Sequence, residues 1–139
     1  MALDMVLELE GHRPDWEACL EAARMTGVST LESDGVRLID GAFERSGVYF
    51  WRGVSGFGEE GELLPVRAEG NHSCDFLTRY VIIFRLNNSE YDDSVQDLKQ
   101  FLTHLAALSP MKFVLSFQRE EVRAERCTSG MDWFWDAPR

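Results

Sequence analysis

The sequence predicts an α+β fold: a mixed sheet of five to six strands with two helices packed on one face, in a ferredoxin-like or related sandwich. Three observations carry this. Two segments repeat apolar residues with helical period, and at least five alternate or run apolar with strand period. The 139 residues are enough for one domain, 1–139, with its own core. Strand-helix-strand order occurs near each end, and the stretch from Tyr80 to Phe117 has room for a right-handed crossover between parallel strands.

The first strand runs from Leu3 to Glu10. Leu3, Met5, Leu7 and Leu9 define a buried face, and Asp4, Val6, Glu8 and Glu10 a mostly acidic, solvated one. Pro14 suits a first helical turn, and Asp15, Glu17 and Glu21 favour the positive end of its dipole. Trp16, Cys19, Leu20 and Ala23 form the apolar stripe, and Gly27 stops the helix. Val36–Ile39 reads as a strand ended by an Asp40-Gly41 turn, and Val48–Trp51 as another.

A glycine-rich loop over 53–61 precedes a short strand, Leu63–Ala68, that Pro65 places at an edge. Thr78–Leu86 carries the apolar run Tyr80-Val81-Ile82-Ile83-Phe84, the signature of a central strand buried on both faces. The second helix is expected from Asp93 to Leu108, with Asp93 as N-cap and Gln96 completing a capping box. Lys112–Gln118 is a last clear strand. Arg119–Arg126 mixes charge signs and reads as solvated, before the aromatic segment Met131-Asp132-Trp133-Phe134-Trp135-Asp136.

Charge narrows the partners. Twenty-four acids against fourteen bases give a net charge of −10, which repels nucleic acid, anionic membrane and phosphorylated metabolites and attracts basic proteins. The amino terminus shows no signal-peptide pattern, and the longest apolar run is far too short to cross a bilayer. Three cysteines, Cys19, Cys74 and Cys127, are an odd and widely spaced set, which favours a reducing cytoplasm.

Sites of chemistry are sparse. Gly56-Phe57-Gly58-Glu59-Glu60-Gly61 matches G-x-G-x-x-G, but the following Glu62-Leu63-Leu64-Pro65 does not open a helix, and two glutamates would repel a diphosphate. His72, Cys74 and Asp75 share one loop, the one arrangement that invites a nucleophile or ligand-binding reading. There is no C-x-x-C or H-x-x-x-H, and no cofactor or metal is expected.

The expected activity is therefore binding rather than catalysis. Glu59, Glu60 and Glu62, with Asp92, Asp93 and Asp97, form an acidic surface complementary to a basic protein. Trp133 and Trp135, framed by Asp132 and Asp136, form an aromatic anchor of the kind enriched at binding hot spots. In size, acidity and type the chain resembles the bacterial immunity proteins that neutralise secreted toxins. The resemblance transfers no individual residue. It implies a tight one-to-one complex with a cationic toxin domain, a nuclease being one such target. Two alternatives stand beside it: a small enzyme or ligand-binding domain using the His72-Cys74-Asp75 loop, and a homodimer assembled through the aromatic C-terminal segment.

Overall fold

A computed structural model describes residues 3–70 and 73–135. Its centre is one sheet of nine strands: β1 (Leu3–Glu10), β2 (Val28–Ser33), β3 (Leu38–Phe43), β4 (Tyr49–Val54), β5 (Leu64–Pro65), β6 (Leu77–Leu86), β7 (Phe113–Phe117), β8 (Glu121–Cys127) and β9 (Gly130–Trp133). The order is β2-β3-β4-β6-β1-β7-β8-β9, with β5 continuing the line of β4 beside β6. Every pairing between these strands is antiparallel. The helices are α1 (Trp16–Thr26) and α2 (Tyr91–Leu108).

The expected five-to-six-stranded mixed sheet, and the ferredoxin-like sandwich expected with it, are thus overturned. No parallel crossover joins neighbouring strands, because β1 lies between β6 and β7 and pairs antiparallel with both. The strand count rises because 28–33, 121–127 and 130–133 are also strands. Arg119–Arg126, expected to be solvated, supplies most of β8, with Val122, Ala124 and Glu125 buried.

Register explains the core. Met5 pairs with Phe84 and Phe117, and Leu7 with Ile82 and Leu115, so one face of three adjacent strands is apolar. Phe50 pairs with Phe84 and extends it. Against this inner face pack Trp16, Cys19, Leu20 and Ala23 of α1 and Leu98, Phe101, Leu102 and Leu105 of α2, all in one cluster. Asp15 caps α1 by accepting from the Ala18 amide at 3.1 Å, and Gly27 at φ 105° ends it. α2 starts two residues earlier than expected. Its N-cap is Glu90, and Asp93 sits inside the first turn, bonded to Arg45 at 2.7 Å instead of capping.

Gly41 does not form a turn with Asp40. Both lie within β3, paired with Phe50 and Trp51. A Cβ on Gly41 would sit 2.6 Å from the Phe50 ring and 2.8 Å from the Thr30 carbonyl oxygen, so glycine is required there by close packing.

The outer face of β1 is not solvated as expected. Residues 66–70 and 73–76 form a strap across the outer face of β1, β7 and β8. Ala68, Cys74, Val114 and Val122 make a second small core beneath it, with Val66, Phe76 and Cys127 at its edge. Two buried carboxylates hold the strap. Glu8 accepts from the amides of Arg67 (2.7 Å) and Ala68 (3.0 Å). Glu125 accepts from the Ser73 amide (3.0 Å), the Ser73 hydroxyl (2.8 Å) and the Cys74 amide (3.3 Å). A disulfide joins Cys74 to Cys127, with Cα atoms 5.5 Å apart. Cys19 is the remaining thiol and is buried; burial, then the nearby Asp15 charge, push its pKa up.

Candidate binding surface

The strap covers only part of the outer sheet face. The rest, over β3, β4 and the end of β6, stays open. Tyr49, Trp51 and Gly53 alternate to this side because their neighbours Phe50, Arg52 and Val54 point inward. Across the ladder Tyr49 pairs with Arg85 and Trp51 with Ile83, so these side chains share the face. The Tyr49 and Trp51 rings stack at 5.3 Å, and the Arg85 guanidinium lies 5.2 Å from the Trp51 ring. Arg85 also bonds Asp4 at 3.0 Å.

Acids frame this aromatic pair. The Tyr49 hydroxyl donates to Asp40 at 3.0 Å, which raises the phenol's pKa. Glu32 pairs with Asp40 across the β2–β3 ladder and is exposed. Asp4, Asp40 and Glu32 against Arg85 leave the face negative. Tyr49 is 45% exposed, Ile83 and Trp51 are half-buried, and no described segment covers them. This is a flat, apolar centre with an acidic rim, the anatomy of a protein-binding patch.

The residues singled out from sequence lie elsewhere and are not brought together. Glu59, Glu60 and Glu62 follow the C-terminal end of β4, whereas Asp92, Asp93 and Asp97 follow the C-terminal end of β6. Because β4 and β6 are antiparallel, these groups stand at opposite ends of the sheet. Several are engaged within the chain. Glu60 bonds Tyr80 and Arg37, Glu62 accepts from the Phe57 amide, and buried Asp97 accepts from the Ser46 amide at 3.2 Å. Glu59 and Asp92 are exposed. Asp132 is exposed on edge strand β9, while Trp133 and Trp135 pack half-buried against the main core, Trp135 beneath the cations of Lys99 and Arg123. Asp136 lies outside the described residues.

The loop alternative is also changed. Cys74 is bonded to Cys127 and so is not a thiolate in this state, Asp75 is exposed, and His72 lies outside the described residues. Cys74, Cys127 and Glu125 do cluster, with their ligand atoms within 4.8 Å of one another. Both sulfurs are committed to the disulfide, so this set does not fit a resident metal. The G-x-G-x-x-G stretch forms a loop between β4 and β5, with no helix after it to receive a phosphate.

Sequence reasoning passed over Tyr49 and Trp51 as a surface pair. Their alternation with inward Phe50 was available, but which face lies open depends on the path of the strap. No helix among the described residues is long and apolar enough to cross a membrane. No protein-family model, curated protein or solved structure matches the chain.

Proposed function

We propose that this protein is a non-catalytic binding module that grips a basic protein partner through the open outer face of its sheet. Its size and net charge suggest a toxin-neutralising role as the biological setting. The stacked pair of exposed Tyr49 and half-buried Trp51, rimmed by Asp4, Asp40 and Glu32, carries the reading. Aromatic anchors supply desolvation energy at an interface, while the acidic rim steers a cationic partner and sets the salt dependence. The net charge of −10 extends that field over the whole molecule. A cytoplasmic setting loses its cysteine argument, since Cys74 and Cys127 are paired.

The test is co-expression with the product of each gene neighbouring its own, scored for toxicity and rescue of growth, with complex formation measured by titration calorimetry. Trp51→Ala is expected to weaken the complex by about 2 kcal/mol, roughly thirtyfold. Asp40→Asn is expected to slow association a few-fold, chiefly at low salt. A rescuing partner whose affinity is indifferent to Trp51→Ala would remove the open face from the interface. Affinity unchanged between low and high salt would remove the role given to the acids.

A further inference from the structure

At the opposite end of the molecule from α2's N-terminus, the chain builds a cationic pocket that its overall charge conceals. The pocket is open, of about 370 Å³, and lies where β1 ends, β6 begins and the β2–β3 hairpin folds over. Its floor is Tyr80, set edge-on to Trp16 with ring centroids 5.6 Å apart. Two guanidiniums flank the Tyr80 ring: Arg79 at 5.1 Å and Arg37 at 5.9 Å. Val36, 70% exposed, forms an apolar lip.

One group fills the polar centre. The Glu60 carboxylate accepts from the Tyr80 hydroxyl at 2.9 Å and from Arg37 Nη1 at 3.2 Å, with Arg79 Nη2 at 3.6 Å. Arg79 Nε also donates to the Glu60 carbonyl oxygen at 2.6 Å, and its Nη1 lies 3.0 Å from His12 Nε2. Yet the Glu60 side chain is 65% exposed. It is delivered by a loop whose Gly56, Gly58 and Gly61 all hold positive φ. The surroundings favour the ionised carboxyl, pulling its pKa down, first through the Tyr80 hydroxyl and then through Arg37. Charge remains in excess even so. Arg13, Arg37 and Arg79 line the pocket against Glu60, while Asp34 outside it is shared between Arg37 and Arg52.

We propose that this pocket is a binding site for a carboxylate carrying an apolar body, and that Glu60 is a tethered stand-in for it. The carboxylate takes Glu60's place on the Tyr80 hydroxyl and the Arg37 and Arg79 guanidiniums. The apolar body lies against Trp16 and Val36. The ligand is either a free small acid or the C-terminal carboxylate of a peptide; both present this chemistry.

Two probes separate the sources: 3-phenylpropanoate, and an acetylated tripeptide ending in phenylalanine with a free carboxyl, its C-terminal amide serving as control. Binding is read from the Arg37 and Arg79 Nε–H signals in proton–nitrogen correlation spectra at constant ionic strength. Glu60→Gln removes the internal competitor and is expected to tighten binding about tenfold relative to wild type. Glu59→Gln makes the same change in net charge one residue away and is expected to leave the affinity unchanged. The preferred probe identifies the source, with the amide silent in either case. Equal behaviour of the two glutamine variants, or no saturable shift with either probe in Glu60→Gln, overturns the proposal.

Discussion

Glu8 offers the sharpest test of how the strap is held. Its side chain is fully buried on the outer face of β1 and accepts from two backbone amides, Arg67 at 2.7 Å and Ala68 at 3.0 Å. Hydrogen bonds to a charged acceptor contribute about 1.5–3 kcal/mol each, and a buried amide left without a partner costs about 1–3 kcal/mol. Glu8→Ala deletes both bonds at once, so a loss of about 3–4 kcal/mol is expected, a large fraction of the roughly 5–15 kcal/mol that holds a domain together. Glu8→Gln keeps the shape but presents one acceptor oxygen and one donor to two donors, and about 2 kcal/mol should go. Urea unfolding reads the global term. Hydrogen exchange at the Ala68 amide reads the local one and should accelerate about a hundredfold in Glu8→Ala if the strap lifts without global unfolding. If Glu8→Ala costs under about 0.5 kcal/mol and leaves Ala68 exchange unchanged, the carboxylate does not anchor the strap and the reasoning fails.

Two further outcomes follow from the same architecture. The Cys74–Cys127 bond spans 53 residues, and the chain-entropy model assigns such a loop about 4 kcal/mol. Cys127→Ser, or reduction by a dithiol, should lower the urea midpoint accordingly, and an unchanged midpoint would show that the bond adds nothing. Asp34 closes the β2–β3 hairpin by accepting from the Arg37 and Val36 amides and then from the Arg37 guanidinium, which lowers its pKa to about 2. Its folded value lies below its unfolded value, so its contribution is complete above the ordinary carboxylate range and is lost as pH falls through about 2. A carboxyl-carbon titration should place the Asp34 midpoint near 2; a midpoint at the unperturbed 3.8 would contradict the hairpin geometry.

Local pattern was readable where one face of an element meets one environment. The alternation of Leu3, Met5, Leu7 and Leu9, the stripe of Trp16, Cys19, Leu20 and Ala23, and the alternate residues Tyr80, Ile82 and Phe84 of the apolar run all lie on the main core. Failures came where a second layer reverses the rule. Glu8 and Glu125 look like solvent-facing acids, yet they are buried because the strap brings backbone amides to them, a contact between segments about 60 and 52 residues apart. β8 was missed for the same reason: Val122-Arg123-Ala124-Glu125 has little apolar contrast, and its burial is shared between the main core and the strap. Strand order was beyond local reading altogether. A helix between two strands is compatible with a parallel neighbour, but here β1 occupies the slot between β6 and β7. Of the candidate site, the acidity was plain in composition, while the open aromatic face was not, since nothing near Tyr49 and Trp51 records where residues 66–70 and 73–76 cross.

The acid surplus therefore has to be divided before it is read as function. Glu8, Asp97 and Glu125 hold backbone amides inside the molecule, and Asp15, Asp34 and Glu62 cap or close turns. Glu60 is held by an arginine pair and a tyrosine. These groups would be selected for folding or for the pocket even in a protein with no cationic partner. What is left for recognition is a smaller set of exposed acids, of which Glu32 stands beside Tyr49 and Trp51, with Asp4 and Asp40 half-buried at the same rim. A partner that feels the whole −10 field at long range must still be sorted at contact by that short list. Neutralising the rim should therefore alter affinity far more than neutralising an equal number of acids at the N-terminus of α2.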